Sequence, residues 1–346
     1  MYCAAPFTHM HLDVNGDVNL CYGACWTSRT VGNILKTDLL DIWRSREATY
    51  FRASIIDRSF RYCTDCRAPE LLIEGKLPQD WDLSVVECLV LAHDRICNLT
   101  CPSCRVGVEQ ASDTTRAIHK ALCESKIWPH LDTLATSGSG DPLASPLFWD
   151  LLKHFDDLPR SSVPKLRLCT NGLLLTPQNL DKIRGSVSKI VSIDVSVDAA
   201  TEDTYAGCRS GGSFTTLLEN LKFVATTGLP LRLNFVVQAS NFREMIQFAE
   251  MASDLGAYYV RFDAISNWVF SAQEYLARAV HITSHPLHSE LKRVLKHPVF
   301  SNPRVHTAKL SEDFFITQDP LKTILLRVAK EEDAEGRTDR QISPQR

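Results

Sequence analysis

The sequence predicts an α/β fold, a parallel sheet with helices outside it, preceded by a small Cys-rich α+β unit. Three observations predict it. Between residues 85 and 270, six short apolar runs alternate with five helix-like stretches. The first 75 residues concentrate cysteines and turn signals in a segment too small for much of a core. A tight cysteine triplet follows directly on the first apolar run.

The elements follow in order. Asn15-Gly16 stands between two alternating runs and predicts a hairpin whose turn residues both need positive φ. That hairpin carries Cys3 and Cys21 to one end. Asp38 is a good N-cap for a helix with Leu39, Leu40, Ile42 and Trp43 on its apolar face. A second helix covers 48–56, and Cys63-Thr64-Asp65-Cys66 closes a unit of residues 1–75. The polar, proline-containing stretch 76–84 is the linker and the domain boundary. Strands follow over 85–91, 131–136, 165–169, 190–197, 231–237 and 258–264. Helices are expected over 114–124, 146–155, 177–184, 214–226 and 242–255. Residues 271–328 form a helical C-terminal cap, with helices over 272–279 and 289–296. The charged stretch 329–346 is expected to be a disordered tail.

Composition excludes several classes. The 346 residues are 44% hydrophobic and 23% charged, with a net charge of −3, so no basic footprint suggests nucleic acid. No apolar run reaches the ~18 residues of a membrane span. The N-terminus lacks the features of a signal peptide, so a cytoplasmic location with reduced thiols is expected. Twelve cysteines then call for metal. Positions 3, 21, 25, 63, 66, 97, 101 and 104 are patterned; Cys88, Cys123, Cys169 and Cys208 read as small core residues. His281, His285, His288 and His297 fit no closed metal site and read as surface or cap residues.

The triplet Cys97, Cys101 and Cys104 sits where parallel α/β folds place their chemistry, after a strand. Three thiolates on a four-iron cluster leave one iron without a protein ligand. The alternative is zinc, which normally closes with a fourth Cys or His. Strand two runs into Ser137-Gly138-Ser139-Gly140-Asp141, whose glycines allow close backbone approach to a ligand. Strand three ends in Cys169-Thr170-Asn171-Gly172, a turn signal. Strand four carries Ser192, Asp194, Ser196 and Asp198 on one face. A polar face on a central strand points to a barrel interior facing a ligand, with Asp194 and Ser196 as candidates. Trp268 walls a substrate pocket or packs in the core. Cys3, Cys21, Cys63 and Cys66 together suit zinc or an iron–sulfur cluster, either of which would stabilise a unit with little core.

The spacing C-x3-C-x2-C resembles the signature of the radical S-adenosylmethionine (radical SAM) superfamily. The resemblance implies a partial (β/α)6 barrel and a catalytic 4Fe–4S cluster on Cys97, Cys101 and Cys104. The open iron would chelate S-adenosylmethionine, whose cleavage yields a 5′-deoxyadenosyl radical. Gly138, Ser139, Gly140 and Asp141 resemble the family's GGE motif, with Asp in place of Glu, which holds the methionine amino group. Thr170 and Asn171 then lie near the cofactor, and Asp194 and Ser196 serve its ribose or the substrate. Tyr205, Arg209, Gly211-Gly212 and Phe214 are spaced as in the family, so Arg209 is expected at the cofactor carboxylate. Gln238, before Ser240-Asn241, falls near the adenine. Cys208 is a candidate hydrogen donor to a substrate radical, as in some radical epimerases, against its plainer reading as a small buried residue.

Residues 1–75 resemble the SPASM or twitch module. The matching pieces are Cys3 with Pro6-Phe7, Asn15-Gly16-Asp17 with Cys21, Gly32-Asn33-Ile34, Asp41-Ile42-Trp43, Arg52, and Cys63 with Cys66. The resemblance implies a second, auxiliary 4Fe–4S cluster on Cys3, Cys21, Cys63 and Cys66, with Cys25 spare. The module usually follows the barrel, and here it precedes it.

The function implied is hydrogen abstraction from an unactivated C–H of a peptide or of a sugar or nucleoside intermediate. Its outcome would be oxidation, epimerisation or bond formation. A ferredoxin or flavodoxin-type reductant is the expected partner. No obvious extra domain grips a leader peptide, which weighs against a peptide substrate. The alternative from another class is a non-catalytic, zinc-stabilised binding protein.

Overall fold

The structure is a computed structural model that describes residues 2–21, 27–63, 72–73, 82–104, 107, 109–136, 139–267, 269–307 and 310. Cys25, Cys66, Gly138, Trp268, the linker residues 76–81 and the expected tail lie outside them.

The N-terminal unit runs β1 (Tyr2–Cys3), α1 (Ala5–Thr8), β2 (His9–Leu12), β3 (Asp17–Asn19), β4 (Gly32–Asn33), α2 (Leu39–Trp43), α3 (Arg46–Ile56) and β5 (Leu72–Ile73). The hairpin β2–β3 forms, with a different turn from the one the sequence suggests. Only Gly16 (φ 81°) has positive φ; Asn15 does not. Asp13 is the reason. Its Oδ1 accepts from the N–H groups of Asn15 (2.8 Å) and Asp17 (2.9 Å), closing a longer loop. Asp38 caps α2 by accepting from the Leu40 N–H, and Ser45 caps α3 through the Ala48 N–H.

Arg52 ties this unit together. It is 4% exposed, its guanidinium lies 4.1 Å over the Trp43 ring, and it donates to the carbonyls of Pro6 and Trp43, both at 2.9 Å. Burial pulls its pKa down to about 10, which still leaves it charged at neutral pH. Trp43 in turn donates through Nε1 to the Leu83 carbonyl (3.0 Å), fixing the chain just ahead of the next strand.

The main unit is β6 (Val86–Leu91), α4 (Asp113–Cys123), β7 (Leu131–Thr136), α5 (Pro146–Asp157), β8 (Lys165–Thr170), α6 (Pro177–Ser186), β9 (Ile190–Ser196), α7 (Glu202–Cys208), α8 (Phe214–Thr226), β10 (Leu231–Val237), α9 (Met245–Asp254) and β11 (Tyr259–Ala264). The segment α10 (Ala272–Arg278), α11 (His288–Val294) and β12 (Val305–His306) follows. Element types agree with the periodicity, and two differences have plain causes. Helix α7 has seven residues and buries only Tyr205 and Cys208, too short for a helical period to show. The expected helix over 242–255 opens with a 3₁₀ turn, Phe242–Glu244, before α9.

One ten-stranded sheet runs in the order β12-β11-β10-β9-β8-β7-β6-β2-β3-β4. It crosses the expected boundary at 76–84, because β2 pairs in parallel with β6, His9 opposite Cys88 and Leu12 opposite Leu91. Neighbours in space are neighbours in sequence from β6 to β11, and all these pairs are parallel. Right-handed crossovers in a single direction put the helices that connect these strands on one face. Leu89, Leu134, Leu168, Ile193, Leu233 and Phe262 face those helices in one continuous core. The other face carries a small apolar cluster of Cys88, Val90 and Ala135 at β6 and β7 and is polar beyond it, with Arg167, Asp194, Arg232 and Asn234 among its residues. This is the single-wound, partial-barrel form of the α/β fold. Phe235, Phe248 and Phe262 pack at centroid distances of 4.9–5.7 Å, and Phe300 adds the C-terminal segment at 5.6 Å.

Arg52→Leu should destabilise the protein by about 2–4 kcal/mol, since it removes two buried charge-assisted hydrogen bonds and a cation–π contact. Urea denaturation of wild type and variant checks this. A change below ~0.5 kcal/mol would remove Arg52 from its place as the unit's anchor.

Candidate functional site

The described residues of the loop after β6 form no helix or strand. Three neighbours hold it. The Asp141 N–H donates to the Ile96 carbonyl (2.8 Å), just ahead of Cys97. Asn171 Nδ2 donates to Asn98 Oδ1 (2.8 Å) and lies 3.8 Å from Cys97 Sγ. The Thr100 N–H donates to the Ser210 carbonyl (3.1 Å). The contacts come from the loops after β7, after β8, and between α7 and α8. Gly140 makes the first possible, because a Cβ there would sit 2.5 Å from the Ile96 oxygen and 2.9 Å from the Asp94 oxygen.

Held this way, Cys97, Cys101 and Cys104 line one cleft of about 380 Å³ with Gly140, Cys169, Thr170, Asn171, Ser196 and Arg209. The cleft therefore gathers eight of the residues singled out in the sequence, from four strand ends. Cys169 is an addition. It read as core, yet it lies on the inner face of β8 and lines the cleft, its thiol pushed up to about 12 mainly by burial. The alternation of β8 placed it on the same face as Arg167, which was the available signal.

Arg209 is set by a buried partner. Its Nη2 lies 2.7 Å from Asp198 Oδ2, and Nη1 is 3.9 Å from Cys101 Sγ. Burial is the largest influence and works against its charge, but Asp198, Cys101 and Tyr205 together outweigh it, so its pKa is raised. Its Nε has no hydrogen-bond partner among the described residues. Asp198 holds a left-handed backbone (φ 65°), stabilised by the Val236 N–H on its Oδ1 (2.7 Å) and by Asn241 Nδ2 on its carbonyl (3.0 Å).

Other expected residues take different places. The Asp141 side chain is not among the residues lining the cysteine cleft. Its carboxylate accepts from Thr170 Oγ1 (2.8 Å), the Asn171 N–H (2.6 Å) and the Leu143 N–H (3.0 Å). Burial raises its pKa, and these donors pull it back. Ser139, beside Gly140, is half-buried. Asp194 lies deeper on the inner face, 3.2 Å from Arg167 and 3.8 Å from Arg232, with Ser192 donating to it at 2.7 Å. Gln238 and Cys208 line a second cleft of about 770 Å³ with Pro102 and Ser103, and Gln238 Nε2 donates to Cys208 Sγ (3.5 Å). Cys208 is thus turned to the other side of the cysteine loop, its thiol pushed up to about 11 by burial.

Cys3, Cys21 and Cys63 lie toward the opposite end of the sheet. Cys3 precedes α1 and β2, and β2 starts level with Cys88 near the beginning of β6. Strand β3 descends antiparallel to β2, Asn19 opposite His11, so Cys21 continues toward that same end. Cys63 forms a bridge with Thr27, whose hydroxyl donates to Asn19 Oδ1 (3.1 Å). The six residues of β6 separate the two ends by about 20 Å.

The donor set fits a four-iron cluster better than one ion. Three thiols come from the loop itself, Cys169 joins them from β8, and the cleft stays open toward Thr170, Ser196 and Arg209; the four sulfurs do not converge as closely as the ligands of a single ion would. Among the described residues, His, Cys and carboxylate ligand atoms converge within 4.8 Å in a single trio, and it lies elsewhere.

No helix among the described residues is long and apolar enough to cross a membrane. Residues 91–252 match the family described as "Radical SAM superfamily", and residues 3–67 the SPASM "Iron-sulfur cluster-binding domain". Among curated relatives, the AdoMet-dependent heme synthase of Methanosarcina barkeri is 28% identical over 176 residues, covering 48% of this chain and 47% of its own length. Mycofactocin maturase MftC of Mycobacterium tuberculosis is 25% identical, covering 49% and 42%. A probable GTP 3′,8-cyclase of Saccharolobus islandicus is 26% identical, covering 49% and 53%. The chain thus spans about half the length of the curated relatives it matches. Among solved structures, Streptococcus suis SuiB bound to precursor peptide SuiA aligns with a TM-score of 0.43 at 13% identity, covering 80% of this chain and 64% of that one. The first family match implies a 4Fe–4S cluster with S-adenosylmethionine, and the second an auxiliary iron–sulfur cluster. Residues 91–252, which hold the cysteine loop and the strand-end cleft, thus form a radical SAM domain, and a SPASM domain precedes it over residues 3–67.

Proposed function

We propose that the protein is an enzyme that cleaves S-adenosylmethionine reductively and abstracts a hydrogen atom from an unactivated C–H bond of its substrate. One observation carries the reading: Cys97, Cys101 and Cys104 share a cleft with Gly140, Thr170, Asn171, Ser196 and Arg209. When bound, the cluster and S-adenosylmethionine would supply an electron and the 5′-deoxyadenosyl radical.

The chain's own residues take the following parts. Cys97, Cys101 and Cys104 hold the cluster, and Asn171 and Arg209 lie beside two of their sulfurs. Arg209 offers its charge and its Nε–H to the carboxylate of S-adenosylmethionine. Asp141 works as a positioning residue, locking the Thr170-Asn171 turn and the Ile96 carbonyl rather than meeting the amino group itself. Cys3, Cys21, Cys63 and Cys66 hold the auxiliary cluster. The polar inner face between the two ends, with Arg167, Asp194, Arg232 and Asn234, receives the substrate. Such a wall suits a polar group, whether on a peptide side chain or a sugar or nucleoside. A ferredoxin or flavodoxin-type reductant would complete the reaction.

Anaerobically reconstituted wild type should carry about eight irons per chain, and a Cys97/Cys101/Cys104→Ala variant about four. Zinc in place of iron in both would refute the radical mechanism and favour a zinc-stabilised binding protein. Gly140→Ala should lower 5′-deoxyadenosine formation about 100-fold, because displacement of a reacting group by about 1 Å costs on that order. An unchanged rate would detach the Gly140–Ile96 contact from the chemistry. Arg209→Lys keeps the charge and loses the planar fork, so S-adenosylmethionine affinity should fall about tenfold or more at unchanged iron content. Equilibrium dialysis with the reconstituted protein reads that change.

A further inference from the structure

We propose that His119, Cys123 and Asp150 form a zinc-type cation site that braces α4 against α5 behind the cysteine loop. Their ligand atoms all lie within 4.8 Å of one another. His119 and Cys123 stand one helical turn apart on α4, and Asp150 comes from α5. His119 Nε2 is 2.9 Å from Asp150 Oδ2 and 3.6 Å from Cys123 Sγ.

The geometry separates this group from a proton relay. A nucleophile–histidine–carboxylate relay uses both imidazole nitrogens, one for each partner. Here thiol and carboxylate face the same nitrogen. Nδ1 of His119 is buried and has no hydrogen-bond partner among the described residues. A proton on Nε2 serves one acceptor at a time, whereas an ion at the centre of the three satisfies all of them. Imidazole nitrogen, thiolate sulfur and carboxylate oxygen are together a donor set for zinc, and three protein ligands leave a fourth position for water.

The surroundings suit an ion in exchange with solvent. The Asp150 side chain is 63% exposed and that of His119 only 7%. The His119 ring is oriented by a near-parallel stack on His93, 6.1 Å between centroids. Without an ion the Cys123 thiol is pushed up to about 11 by burial, then by Asp150 and Glu124, so at neutral pH it is a protonated thiol and a poor nucleophile. Binding a cation would release that proton.

The position gives the ion a role. Ser145, the N-cap of α5, donates to Asp94, whose Oδ1 accepts from the Ile96 N–H (2.9 Å). Helix α5 is therefore tied to the residues just before Cys97, and α4 begins after the loop ends. A cation between the two helices fixes both supports of the loop.

The test uses the protein with its iron–sulfur clusters reconstituted, equilibrated anaerobically with buffered zinc. Wild type should hold about one zinc per chain. Cys123→Ala and Asp150→Asn should each bind it at least about tenfold more weakly, with iron content unchanged. Asp150→Asn alters an exposed side chain, so it keeps the test valid if Cys123→Ala unfolds. Zinc-edge X-ray absorption should show one sulfur at about 2.3 Å with nitrogen and oxygen neighbours. Zinc bound equally by wild type and Asp150→Asn, no zinc in wild type, or several sulfurs around the zinc would each overturn the proposal.

Discussion

The backbone contact between Gly140-Asp141 and Ile96 is the constraint on which the site depends. A loop that must present three thiols in one direction has no ladder or helix to fix it. Its shape comes from neighbours, and the nearest is the loop after β7, whose Asp141 N–H meets the Ile96 carbonyl. Only glycine at 140 lets the two backbones come that close. Asp141 then passes the constraint on through Thr170 and Asn171, and Asn171 returns it to the cysteine loop at Asn98. Three strand ends become one rigid frame, which is what a cluster with one open iron requires of its protein.

Charge is arranged on the same frame. Asp198 and Arg209 sit deep, where either alone would be costly, and each makes the other tolerable. The left-handed backbone at Asp198 is the strain accepted to aim this pair at the cleft. Below it, the inner face spreads Arg167 and Arg232 around Asp194, so the barrel interior stays polar while its outer face packs against helices. The single-wound strand order causes this division, because it sends the connecting helices to one side.

The N-terminal unit is less separate than its composition suggests. Its hairpin continues the main sheet through β2 and β6, and its apolar residues join the same core. The parallel pairing also decides where Cys3 and Cys21 lie, toward the strand ends opposite the main cysteine loop. The polar interior lies between, within reach of both ends.

The sequence by itself determined what rests on local spacing. The triplet Cys97, Cys101 and Cys104 is legible because its three thiols belong to one loop, and the order of strands and helices because side-chain periods of two and 3.6 show within ten residues. The caps at Asp38 and Ser45 follow from the next turn of chain. Tertiary structure alone decided what depends on distant segments meeting. The Asp141 carboxylate turned to Thr170 and Asn171, some thirty residues away, because burial left it those donors. Strand alternation put Cys169 on the inner face beside Arg167, but that this face closes over the cysteine loop, and that a short helix takes Cys208 to another cleft, came only with the fold. Cys123, read as core, met Asp150 only because α4 and α5 pack side by side. Spacing reports which groups share an element, and packing decides which elements share a site.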